Sequence, residues 1–328
     1  MRIAITGGAG YIGALAVREL VAGGHEVGAL DPLLHEQEDV AGLVEQEGAE
    51  LIRADVRDDD ARRRLLEGAD AVVHLGAIVG DPACAVDPEK STEINVEASG
   101  ALIADARAIG VARFVFASTC SNYGRMADPT VPIDETATLA PVSLYAEQKV
   151  KVERQLIESP NGLDATCLRF ATVYGAAPRM RFDLTVNEFT RDLWADRELE
   201  VFGEQFWRPY VHVADAARAI RTVLESPADQ VAGEVFNVGH SDENYRKVDL
   251  VELIKGRLGR GEVKYVQRDE DPRDYKVSFE KVRERLGFEP RMRVADGIDE
   301  IVGALEEERF GDPFDRRYSN LASAKRSS

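Results

Sequence analysis

The chain predicts an α/β protein: a doubly wound parallel sheet with a smaller α/β domain toward the C-terminus. Three observations lead there. The first half alternates short apolar runs with amphipathic stretches, the pattern of successive βαβ units. The first apolar run leads straight into a glycine-rich turn, Thr6-Gly7-Gly8-Ala9-Gly10-Tyr11-Ile12-Gly13. Finally, 328 residues with 44% hydrophobic content are enough to bury a sizeable core, in more than one average domain but fewer than three.

Taken in order, strands are expected near 2–6, 26–31, 49–54, 70–75, 112–118 and 164–170. Helices are expected between them near 11–23, 58–67, 91–109 and 143–158, the last with Ser143 as its N-cap. Pro160-Asn161-Gly162 marks the turn before the sixth strand. Beyond residue 176 the pattern loosens into a helix near 184–197 and an extended piece at 199–203. Tyr210-Val211-His212-Val213 and Glu234-Val235-Phe236-Asn237-Val238 read as short strands returning to the main sheet. The division that follows is a main domain over 1–175 with returning segments near 208–240, a cap made mainly of 176–310, and a mobile tail over 311–328.

The formal net charge of −18 argues against nucleic acid or an anionic membrane as a partner, since both need a basic face. It also means that an anionic ligand can sit only where arginines or helix N-termini reverse the local field. No apolar run reaches the roughly 18 to 20 residues that span a bilayer. The opening Met1-Arg2-Ile3-Ala4-Ile5-Thr6 runs directly into a strand, which predicts a cytoplasmic protein without a signal peptide. Cys84, Cys120 and Cys167 are scattered and odd in number, which predicts a reducing compartment and no structural metal.

Gly7, Gly10 and Gly13 have the spacing that permits a tight turn, a close approach of backbone N–H groups to a pyrophosphate, and close helix-to-strand packing. With a strand before it and a helix after, the loop reads as a dinucleotide site on a Rossmann-type sheet. Asp31 lies 18 residues past Gly13, at the end of the second strand, where a carboxylate can accept from both adenosine ribose hydroxyls and repels a 2′-phosphate. Pro32-Leu33-Leu34 supplies no cation to offset it, so NAD is predicted over NADP. Asp55-Val56 and His74-Leu75-Gly76-Ala77 follow the third and fourth strands, at the carboxyl edge where such sheets bind ligands.

Tyr145 and Lys149 are four residues apart on a predicted helix and project from one face. A phenol with an ordinary pKa of about 10 needs a nearby cation to act as a base at neutral pH, and a lysine one turn away is placed to help. The fifth strand ends in Ala117-Ser118-Thr119-Cys120, bringing hydroxyls beside that helix.

With these motifs the sequence resembles the extended short-chain dehydrogenase/reductases, in their NAD-dependent epimerase/dehydratase branch acting on nucleotide sugars. The likeness covers nearly all of residues 1–305 and extends to Ser121-Asn122-Tyr123-Gly124, Leu168-Arg169-Phe170, Arg208-Pro209-Tyr210-Val211-His212-Val213, Phe236-Asn237-Val238-Gly239 and Leu286-Gly287-Phe288-Glu289-Pro290. It implies Tyr145 as the base that takes a proton from a sugar hydroxyl, usually at C4, while hydride leaves that carbon for the nicotinamide. It implies Lys149 as the residue that holds the nicotinamide ribose and lowers the tyrosine pKa, and Thr119 as a bond to the same sugar oxygen. It assigns the cofactor to Gly7, Gly10, Tyr11, Ile12, Gly13, Asp31, Asp55, Val56, Leu75, Gly76, Ala77, Ser118, Tyr145, Lys149, Phe170 and Val173. A homodimer through the helices near 91–109 and 143–158 is implied as well.

Departures from the pattern narrow the reaction. Sugar 4,6-dehydratases of this branch typically carry Asp-Glu after the threonine of the fifth strand, to supply acid and base for water loss. This chain has Cys120-Ser121, neither of them a good acid at neutral pH. Thr172 replaces the Asn of typical 4-epimerases, and Asp183-Leu184 a common Asn-Leu, with Arg181 near enough in sequence to offset the charge. Ala77 to Cys84 and Ala171 to Arg181 look more like a subgroup acting on nucleotide-bound heptoses. The substrate residues implied are Thr119, Thr172, Arg181 and Arg208, with Arg273 or Arg268 on the diphosphate of a nucleotide-diphosphate sugar. The reading is a C4 epimerase that keeps its NAD. Net C4 dehydrogenation or 4-ketoreduction stays open as the alternative, and a non-catalytic NAD sensor stands further off.

Overall fold

The computed structural model describes residues 1–159, 161–266 and 273–327. Its main sheet contains β1 (Arg2–Thr6), β2 (Glu26–Leu30), β3 (Glu50–Ile52), β4 (Ala71–His74), β5 (Arg113–Thr119) and β6 (Asp164–Phe170). β7 (Thr172–Tyr174), β8 (Leu199–Phe202) and β9 (Trp207–His212) follow and lie elsewhere, whereas β10 (Glu234–Val238) returns to the main sheet. β11 (Asn244–Arg246) and β12 (Val263–Val266) complete the strands among the described residues.

The main sheet has the order β10-β6-β5-β4-β1-β2-β3, and every pairing in it is parallel. Helices cover both faces, which is why strands such as Ala71-Val72-Val73 are apolar without alternation and fully buried. One face packs against helices Gly13–Ala22 and Val213–Glu225, the other against Ser99–Ile109 and Leu144–Ile157. The strand order reverses between β1 and β4, and a crevice opens there at the carboxyl ends of the strands.

Two expectations are corrected and one element is added. Tyr210 to Val213 does not rejoin the main sheet: β10 occupies the edge beside β6, so β9 pairs with β7 and β11 in a separate three-stranded sheet. A helix over Glu38–Gln46 goes unanticipated because its buried stripe is only Val40, Ala41 and Val44, interrupted by Gly42. The stretch from 311 is not a free tail. Tyr318 is buried against Phe182 and Phe310, its carbonyl accepts from Phe182 N, and a short helix follows over Asn320–Ser327. Among the described residues no helix is long and apolar enough to cross a membrane.

Candidate active site

The crevice is a cavity of about 670 Å³. Every residue expected at the cofactor and substrate sites lines it, from Gly7 through Thr119, Tyr145 and Lys149 to Thr172, Arg181, Arg208 and Arg273. Arg268, the other diphosphate candidate, lies outside the described residues.

The floor is the glycine turn. Gly7 has φ +74, and a Cβ there would come within 2.9 Å of Gly76 N, so the loop can lie against the end of β4 only without a side chain. A Cβ on Gly13 would fall 1.9 Å from Gly7 O, inside the turn itself. Helix Gly13–Ala22 starts here at the crevice wall, and a helix N-terminus suits a pyrophosphate. The Tyr11 hydroxyl donates to Gly175 O at 2.6 Å and accepts from Asn187 Nδ2, tying the loop to the cap.

At the end of β2 the Asp31 carboxylate is buried, accepting from Ala9 N at 3.1 Å and Leu33 N at 2.9 Å. Burial raises its pKa, and those two N–H groups, with Arg179, oppose the rise. Asp55 lines the cavity while paired with Arg57 at 3.0 Å; burial raises its carboxyl, but the Arg57 bonds prevail and hold it below the usual range. His74 is structural: its ring bonds Thr6 Oγ1 and Ser99 Oγ, and burial holds it at about 3, hence neutral. The residues of this part of the crevice fit NAD.

At the other end, Ser143 caps helix Leu144–Ile157 by accepting from Ala146 N, and the helix directs Tyr145 and Lys149 into the cavity. Lys149 Nζ donates to Ala117 O at 2.9 Å, rests over the Phe116 ring, and lies 5.8 Å from the centre of the Tyr145 ring. Burial lowers Lys149 to about 8. Enclosure pushes the Tyr145 hydroxyl above its ordinary value; Cys84 and Asp81 add to the rise, and Arg181 and Arg273 oppose it.

Thr119 Oγ1 accepts from Ser121 N, whereas the Ser118 hydroxyl is turned to Glu153 and Asn122. Cys120 is buried, its Sγ donates to Arg169 O, and burial raises the thiol well above its ordinary value, which leaves it a packing group. Arg273 bonds Ser121 Oγ at 3.2 Å and Asp81 at 3.1 Å; Arg181 holds Asp183 at 3.0 Å. Arg208 is buried on β9, donating to Trp207 O and resting over Tyr275. Among the described residues no group of three or more His, Cys, Asp or Glu side chains is placed to hold a metal ion.

Sequence reasoning missed Arg179, Glu188 and Asn320, all on the cavity wall. Arg179 had a local hint in the run Pro178-Arg179-Met180-Arg181, but Asn320 had none, because only the fold brings residue 320 to the crevice.

The model of the NAD dependent epimerase/dehydratase family matches residues 3–239. Similar proteins include a dTDP-glucose 4,6-dehydratase of Streptomyces niveus, 30% identical with 94% of each chain covered. A UDP-glucose 4-epimerase of Mycolicibacterium smegmatis is also 30% identical, with 92% of this chain and 97% of that one covered. Among solved structures, the Thermotoga maritima UDP-glucose 4-epimerase with UDP-glucose superposes with a TM-score of 0.82 at 28% identity, covering 94% of this chain and 100% of that one. The Streptomyces venezuelae dTDP-glucose 4,6-dehydratase with NAD bound gives 0.83 at 28% identity, covering 95% and 99%.

Proposed function

The chain belongs to the NAD dependent epimerase/dehydratase family, which makes it an NAD-dependent nucleotide-sugar enzyme, and from that premise we propose that it is a C4 epimerase. Its relatives include both epimerases and dehydratases, so the choice rests on this chain's own residues. The observation that carries it is the end of β5: Thr119 lies on the cavity wall, while the next residue, where a dehydratase of the resembling branch carries an acid, is a buried cysteine bonded to a backbone carbonyl. The nearby acids Asp81 and Asp183 are held in ion pairs with Arg273 and Arg181.

In this reading Tyr145 takes the proton from the C4 hydroxyl, with Thr119 bonded to the same oxygen. Arg181 and Arg273 favour the ionised phenol against the enclosure that raises its pKa. Bound NAD supplies the hydride acceptor, and afterwards the hydride donor, at that carbon. Lys149 holds the ribose next to the nicotinamide, and Asp31 takes the adenosine ribose hydroxyls. Arg208 and Arg273 clamp the substrate diphosphate, supplying positive charge where an acidic protein must have it. We place the enzyme in the cytoplasm as a homodimer through helices Ser99–Ile109 and Leu144–Ile157.

The test is NMR of the purified protein with UDP-, GDP-, dTDP- and CDP-sugars and no added cofactor. A C4 epimer is the expected product. A 4-keto sugar accumulating with reduced nicotinamide would replace the epimerase with a net dehydrogenase.

A further inference from the structure

Arg179 sits in the cap loop between β7 and helix Thr185–Trp194, and it is 5% exposed while lining the crevice. Among the described residues its one hydrogen bond runs from Nη2 to Asn320 Oδ1 at 2.7 Å, and its Nε is enclosed without an acceptor. Asp31 and Asp183 both feel its charge, yet neither closes an ion pair with it. A guanidinium taken out of water without a paired anion is costly, and folds keep one where an anion is to arrive. Burial, with Arg181 close by, holds Arg179 down at about 9, the direction expected of a cation short of a partner.

Its surroundings indicate which anion. Arg179 lines the same crevice as Asp31 at the end of β2 and Tyr11 of the glycine turn, and it interacts electrostatically with both. Asn320 holds the guanidinium through the Nη2–Oδ1 bond. Its backbone N donates to Asp183 Oδ2 at 2.8 Å and its Nδ2 to Val79 O at 3.3 Å, so one residue of the C-terminal segment joins the loop after β4 to the cap. We propose that Arg179 binds a phosphate oxygen on the adenosine half of the dinucleotide, closing the crevice opposite the glycine turn, and that Asn320 is the positioning residue that aims it. The C-terminal segment thereby becomes part of the device that retains the cofactor.

The proposal is tested by calorimetric titration of nucleotide-free full-length protein with NAD, ADP and adenosine. For Arg179→Gln we expect NAD and ADP to weaken together by about ten- to hundredfold, the worth of one charge-assisted bond, with adenosine unchanged. Arg179→Lys restores part of the loss, and Asn320→Ala weakens NAD by a smaller factor. Thermal unfolding without nucleotide checks the fold, and Arg179→Gln should be no less stable than the parent there, since it removes a buried charge. Unchanged NAD and ADP binding in Arg179→Gln overturns the proposal. So does a loss confined to the nucleotide sugar, which would move the guanidinium to the substrate diphosphate. Neither readout depends on whether the enzyme epimerises.

Discussion

Two buried cations beside β5 show opposite ways of keeping a charge out of water. Arg169, on β6, is saturated: its guanidinium bonds both Glu153 oxygens, the Tyr123 hydroxyl at 2.9 Å and Glu135 O. Burial lowers it, but Glu153 and Tyr123 more than offset that and hold it above its ordinary value. Lys149, facing the crevice, has the Ala117 carbonyl and two aromatic rings, with no carboxylate partner among the described residues. Burial drags it down to about 8. The paired charge locks β5, β6 and helix Leu144–Ile157 together, whereas the lone one stays available to a ligand.

The contrast can be broken at several points. Tyr145→Phe should reduce turnover by about 10²- to 10⁴-fold, the range for losing a general base, with urea unfolding unchanged. A variant that epimerises like the parent would remove Tyr145 from the chemistry. Arg169→Met strands Glu153 and should cost about 3 to 5 kcal/mol of stability. Adding Glu153→Leu should recover much of that, which a double-mutant cycle in urea reads directly.

Lys149→Met should act in the reverse sense on stability while abolishing activity. A lysine held at about 8 instead of 10.5 costs up to about 3 kcal/mol below pH 8, at about 1.4 kcal/mol per pH unit. The folded protein binds fewer protons than the unfolded chain between pH 8 and 10.5, so the parent gains stability as pH rises through that window. The advantage of Lys149→Met should shrink over the same window; a gap independent of pH would mean that the lysine is not buried as a charge. The smallest effect is expected from Arg208→Ala, which should weaken the nucleotide sugar by about ten- to hundredfold and leave NAD binding alone. Equal loss of both ligands would indicate a structural role.

The same division explains what the sequence makes legible. The glycine turn, Asp31 and the Tyr145–Lys149 pair are short-range patterns whose spacing already encodes their geometry, and all of them line one cavity. The strands of the main sheet are equally plain, because burial on both faces makes them continuous apolar runs. Arg179 and Asn320 are hidden because their partners lie 141 residues apart in sequence. β9 is misassigned because an apolar strand does not say which sheet it will join. The C-terminal segment reads as a mobile tail because its anchors, Phe314, Tyr318 and Asn320, are scattered through a polar stretch with no helical or strand period.

The most direct test of the central claim uses a nucleotide sugar deuterated at C4, incubated in ordinary water without added cofactor. Oxidation and return at one carbon predict an epimer that keeps its deuterium at C4. Epimerised product with hydrogen at C4 would contradict that account, since the label would have been exchanged with solvent rather than held and handed back.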